Sequence, residues 1–235
     1  MKICTFLLLL TLPICAASQS KQKKWTTWTT EDAEKILNDS PWGQTQVGKN
    51  MAYEDYGFSV SRVNLRIRFL SAKPIRQALL RILELSPTKA TAAGINEALQ
   101  LANRTYPETI VASVDYDAPA GCMPLGAYLQ AFASATTSTL RNNTYLEIQG
   151  GKRSFLQEYV PPGPDGLGAK FIFTRSVGNQ LLVKPDADYV RSYSEFPKLA
   201  GTTMTSGTLP GNVVAFTINM RFKSADFMYD GVLEY

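Results

Sequence analysis

Two carboxylates stand two residues apart in Asp115-Tyr116-Asp117, at the end of a stretch with strand character. Residues i and i+2 of a strand project from one face, so this spacing can bring both acids to one substrate or one cation. Glycoside hydrolysis needs two carboxyls about 5–10 Å apart, and calcium needs several further oxygen ligands. Acids at a strand end also serve simply to open a turn. Asp115 and Asp117 are thus candidates for a catalytic pair and for a metal site, set against a plain structural role. Asp186 and Asp188, on either side of Ala187, pose the same choice.

Other chemistries fall away on composition. The chain contains no histidine. That removes Ser-His-Asp and Cys-His nucleophiles and zinc sites built on imidazole. Cys122, in Ala120-Gly121-Cys122-Met123-Pro124, has no histidine to deprotonate it and reads as a small buried hydrophobe. Gly163, Gly166 and Gly168 lie among prolines and have neither phosphate-loop nor dinucleotide spacing, so no cofactor is expected. A Ser–Lys dyad has no fixed spacing, and no motif singles one out. Eleven tyrosines and eleven phenylalanines, mostly in the second half, leave two readings. They pack a core, or they line a sheet face that binds sugars or peptides.

The elements that must position these residues follow from periodicity. Thr29-Thr30-Glu31-Asp32 opens a short helix through Leu37, with Thr29 as cap and acid in the first turn. Trp25, Trp28 and Trp42 bracket it, and its stripe of Ala33, Ile36 and Leu37 predicts docking on the rest of the domain. Phe58 to Leu70 alternates as a strand, with Val63, Leu65, Ile67 and Phe69 on one face and Arg62, Asn64, Arg66 and Arg68 on the other. Pro74 starts a second helix, Thr91 to Asn103 forms a third, and Leu125 to Thr136 a fourth. Thr109 to Tyr116 returns to strand. Gly150-Gly151, Gly178-Asn179 and Asp230-Gly231 mark hairpin turns, and Asn212 to Phe222 alternates strongly. Gly201 to Gly211 reads as loop. The expected fold is α+β: an antiparallel β-sheet or β-sandwich with two to four short helices in the N-terminal half. Tight turns argue against a parallel doubly wound sheet, which needs helical crossovers.

Compartment is read from the start of the chain. Lys2 is the only charge in the first twenty residues, an apolar run spans Ile3 to Ile14, and Ala16, Ala17 and Ser18 are small. This is the order of a secretory signal peptide, and the run is too short for a bilayer, which needs roughly 20 apolar residues. The expected organisation is a signal peptide over 1–17, a linker over 18–28 and a single α+β domain over 29–235. A cysteine at position 15 allows a second reading, a lipoprotein anchored at Cys15, although Ile14 is large for that cleavage site. No second apolar run of membrane length follows. Lys2, Lys21, Lys23 and Lys24 precede Trp25, while all 20 acids follow it and match the 20 remaining bases. A neutral body argues against nucleic acid, which needs a basic face. The Lys21–Lys24 cluster leaves room for peripheral contact with an anionic membrane surface.

Two blocks carry a resemblance. Trp25-Thr-Thr-Trp28-Thr-Thr-Glu31-Asp32-Ala33-Glu34-Lys35-Ile36-Leu37-Asn38-Asp39-Ser40-Pro41-Trp42 resembles the opening of a family of uncharacterised exported bacterial proteins. The stretch from Met220 to Tyr235, with Asp226, Met228, Tyr229, Asp230, Gly231 and Glu234, is similar to the same group. The resemblance implies a bacterial source and unglycosylated sequons at Asn103 and Asn142. It brings no activity and no catalytic residue. The expectation is an exported, periplasmic or extracellular, non-enzymatic domain that binds a protein partner or a component of the cell envelope. The alternative is a histidine-free hydrolase using carboxylates, such as a glycosidase.

Overall fold

The computed structural model describes residues 23–49, 62–86, 91–117, 124–148, 150–178, 180–184, 187–196, 203–204, 207–208 and 217–235. The signal segment, Cys15, Cys122 and Asp186 lie outside the described residues, as do 58–61 and 212–216 of two expected strands.

Local chemistry sets the first helix. Thr29 accepts a hydrogen bond from the Asp32 amide, and Asp32 accepts one from the Thr29 amide, a reciprocal cap on α1 (Thr30–Asn38). The Lys23 hydrogen bond, with smaller contributions from the Thr29 amide and side chain, lowers the pKa of the Asp32 carboxyl to about 2. Ala33 and Leu37 are buried. Trp28 is also buried, and its carbonyl accepts from Arg81 Nε at 2.8 Å. The packed body therefore takes in the end of the segment read as a linker.

Eight strands form one antiparallel sheet. They are β1 (Gly43–Lys49), β2 (Arg62–Phe69), β3 (Thr109–Asp117), β4 (Thr144–Ile148), β5 (Arg153–Val160), β6 (Ala169–Thr174), β9 (Tyr189–Glu195) and β12 (Thr217–Lys223), in the order β1-β2-β3-β6-β5-β4-β9-β12. Between them run short ribbons: β7 (Ser176–Val177) with β8 (Gln180–Leu181), and β10 (Thr203–Met204) with β11 (Gly207–Thr208), the latter inside the stretch read as loop. The sheet curls until its edges approach. The Gln46 side-chain amide, on β1, donates to Thr217 O and accepts from Asn219 N of β12, both at 2.9 Å.

The period of two decides what lies inside. Val63, Leu65, Ile67 and Phe69 of β2 face the interior, opposite Val114 and Ala112 of β3, and Phe171 and Phe173 of β6 continue the wall. Helices and rings close the two ends. Helix α4 (Pro124–Ser134) sends in Phe132, which stacks on Tyr116 at 5.6 Å and meets Phe196 edge-on. A 3₁₀ turn, Ser224–Phe227, sends Phe227 against Phe69, which also packs on Phe222 at 4.8 Å. The last hairpin, β13 (Met228–Tyr229) and β14 (Val232–Leu233), turns at Asp230-Gly231 with positive φ at both positions.

Helix α2 (Lys73–Glu84) follows β2 at once, with Pro74 in its first turn, and buries Ile75 and Ala78. Its Arg76 is buried and donates to the carbonyls of Leu70 and Ser71, satisfying the turn that leaves β2. Helix α3 (Ala92–Asn103), capped by Thr91, packs on α2, and a single turn, α5 (Thr137–Leu140), leads into β4. No helix among the described residues is long and apolar enough to cross a membrane.

Candidate functional site

Asp115 and Asp117 do share a face, as their spacing requires, and it is the outer face of the sheet. The Asp115 carboxylate pairs with Arg66 Nη2 at 3.2 Å and Arg68 Nη1 at 3.7 Å, and accepts from the Tyr116 amide. Arg68 is itself buried. It donates to Leu37 O and Asn38 Oδ1 at the end of α1, and burial pushes its guanidinium below its ordinary value. Asp115 therefore ties helix to sheet. Asp117 sits exposed at the end of β3, opposite Asn64. Among the described residues, no group of three or more His, Cys, Asp or Glu is placed to hold a metal.

A different set of residues comes together on the outer face of β5-β4-β9-β12. Register aligns Phe155, Tyr145, Tyr193 and Asn219 in one row across the four strands. The neighbouring row is Arg153, Glu147, Arg191 and Arg221. Tyr145 stacks on Tyr193 at 5.0 Å and meets Phe155 edge-on at 5.8 Å. Three guanidiniums lie over rings: Arg153 over Tyr145 at 4.2 Å, Arg191 over Tyr193 at 5.1 Å, and Arg221 over Tyr189 at 4.9 Å. Glu147 binds Arg153 Nε at 2.5 Å and Arg191 Nη1 at 3.6 Å, and Arg191 Nε reaches Asn219 Oδ1. Tyr145 is covered by these neighbours, whereas the Phe155 ring is 48% exposed.

The electrostatics favour an anion. This row holds three arginines and one carboxylate, which Arg153 and Arg191 share, so positive charge is left over on a surface of ring faces. The hydrogen bond from Arg153, with Arg191 beside it, holds the Glu147 carboxyl below its ordinary value of 4.5. A depressed carboxyl contributes stability that is complete above its unfolded value and is lost as pH falls through its folded one. The wild type is therefore expected to lose thermal stability as pH falls below 4.5, and Glu147→Gln to lack that component of the loss. Melting curves of both proteins between pH 6 and pH 3 check it; parallel curves would show that Glu147 takes no part.

Sequence reading allowed for rings on a sheet face without naming these residues. The signal was present in Tyr189-Val190-Arg191-Ser192-Tyr193-Ser194-Glu195, whose aromatic and charged residues alternate with small ones. Here the aromatics face out and Val190, Ser192 and Ser194 face in, the reverse of the usual pattern.

Compared with known protein families, with curated proteins and with solved structures, the chain matches none.

Proposed function

We propose that this is an exported, non-enzymatic binding domain whose outer sheet face holds an acidic polysaccharide at or outside the cell envelope. One observation carries the reading: a row of three aromatic rings runs beside a row of three arginines and a single glutamate, which two of the arginines share. Sugar rings present apolar C–H faces that stack on aromatic side chains. Planar guanidiniums already oriented by rings beneath them suit carboxylates in bidentate geometry. Repetition across four strands suits a chain better than a single small molecule. The signal-like first seventeen residues support export, and the resemblance to exported bacterial proteins is in keeping with it.

Affinity electrophoresis tests this on the mature chain. Migration through gels containing polygalacturonate is expected to be retarded, with no retardation by neutral dextran. The double variant Phe155→Ala, Arg153→Ala is expected to abolish retardation; it also removes the main partner of Glu147 and lowers the melting temperature somewhat, so circular dichroism at the assay temperature checks that the fold is intact. Retardation by polyglutamate alone would assign the face to an acidic peptide and overturn the polysaccharide reading. So would migration unaffected by polygalacturonate.

A further inference from the structure

The geometry points to the junction between β1 and β12 as a slot that accepts an extended peptide strand of a partner, with acidic residues on its outward side. This rests on the sheet's edges rather than on the rings of its face, and shares with the polysaccharide reading Arg221 and Asn219 of β12.

Seven antiparallel steps separate β1 from β12, so the two edge strands run in opposite directions. Nothing in that arrangement forbids direct pairing. Yet among the described residues no main-chain hydrogen bond joins them, and the sheet ends at both. Phe69 N donates to Trp42 O, which fixes the phase of the β1–β2 ladder: Gln44 and Gln46 spend their main-chain groups on β2. Those of Thr45 and Val47 then point toward the open edge. On β12, Asn219 N and Thr217 O point away from β9, since both bond to Gln46.

What fills the gap is a primary amide, the side-chain counterpart of a peptide group. Gln46 donates to the carbonyl before Ile218 and accepts from the amide after it. One residue bonding to i−1 and i+1 of its neighbour is the pattern of a parallel ladder. Gln46 thus occupies the place of one residue of a strand running parallel to β12. Such a strand would run antiparallel to β1, whose free groups it could also meet. A side chain makes the bridge where no main-chain bond does, and a guest strand seated between the two edges would need about two ladder spacings, roughly 10 Å. Exposed edges recruit added strands through main-chain bonds. Arg221 and Lys223 are exposed on the outer side of β12, which selects acidic side chains on the guest.

The probe is an eight-residue peptide of alternating valine and glutamate, with a valine–lysine peptide as control. Gln46→Ala removes the internal competitor, so it is expected to bind the acidic peptide about tenfold more tightly than wild type does. In that variant, peptide is also expected to slow hydrogen exchange at the Asn219 amide by at least about tenfold. Asn219→Pro removes the donor on the seam side and spares the β9 ladder, as edge strands allow; it is expected to lose binding with its fold intact by circular dichroism. Absence of binding to both wild type and Gln46→Ala, or binding unchanged in Asn219→Pro, overturns the proposal. Sedimentation of the protein alone supplies a further arm. A dimer abolished by Asn219→Pro would give the slot to a second copy of this chain and overturn the peptide reading.

Discussion

Trp42→Ala is expected to lower stability by about 3–5 kcal/mol, the range for truncating a buried aromatic side chain. The ring is 4% exposed and meets Tyr229 edge-on, with centroids 5.8 Å apart. Its Nε1 donates to Glu234 O at 2.8 Å, across 192 residues of chain. The Glu234 carboxylate in turn accepts from the Lys73 amide at the start of α2. Trp42 thus joins the start of β1 to the last hairpin, and its loss also strips a partner from the Glu234 carbonyl. For a chain of this size the melting temperature should fall by roughly 6–20 °C. Calorimetry of the variant checks it, and a melting temperature within a degree or two of wild type would mean that the contact contributes little. Tryptophan fluorescence offers a second reading, because Trp28 and Trp42 should resist a polar quencher that reaches the half-buried Trp25.

Gly168→Ala is expected to cost about 2–5 kcal/mol through two separable terms. Gly168 has φ +78, where an L side chain adds roughly 1–2 kcal/mol. A Cβ there would also stand 2.2 Å from Val114 O and 2.8 Å from Val114 C, main-chain atoms of β3 that cannot step aside. Overpacking of this kind costs about 1–3 kcal/mol. Gly150→Ala separates the terms: its φ is +90, but nothing lies within 4 Å. Chemical denaturation should place Gly168→Ala well below Gly150→Ala. Equal losses would mean that β3 and β6 yield to the added methyl group.

The elements that were legible in the sequence owe their form to local rules. The Thr29–Asp32 cap, the alternation of β2 and the glycine turn between β4 and β5 each follow from residues within a short window. The α+β antiparallel class followed from them. Strand β1 was not legible, because its inward positions are Gln44 and Gln46, which give no apolar alternation. Its strand character comes from the partner it pairs with. Strand β9 hid for the opposite reason: its small residues face in and its aromatics face out, so hydropathy alone cannot orient it. The acid pair at Asp115 and Asp117 was placed on the correct shared face. Its arginine partners Arg66 and Arg68 lie some fifty residues earlier, and only the β2–β3 register brings them across. The rows on the outer face arise in the same way, from residues spread between Tyr145 and Arg221 that meet only when four strands align.

The rings that close on Phe69 have a consequence for the order of assembly. Phe222 and Phe227 are more than 150 residues further along the chain, and Gln46 waits equally long for Thr217 and Asn219. Contacts of such sequence separation slow folding, because the chain entropy lost in closing the loop precedes the gain. Synthesis proceeds from the N-terminus at about 5–20 residues per second. For most of that time β1 and β2 have emerged, yet the segment that completes their core has not been made. The core around Phe69 therefore closes only after the C-terminal segment has been made, so its completion is a late event in the life of the growing chain.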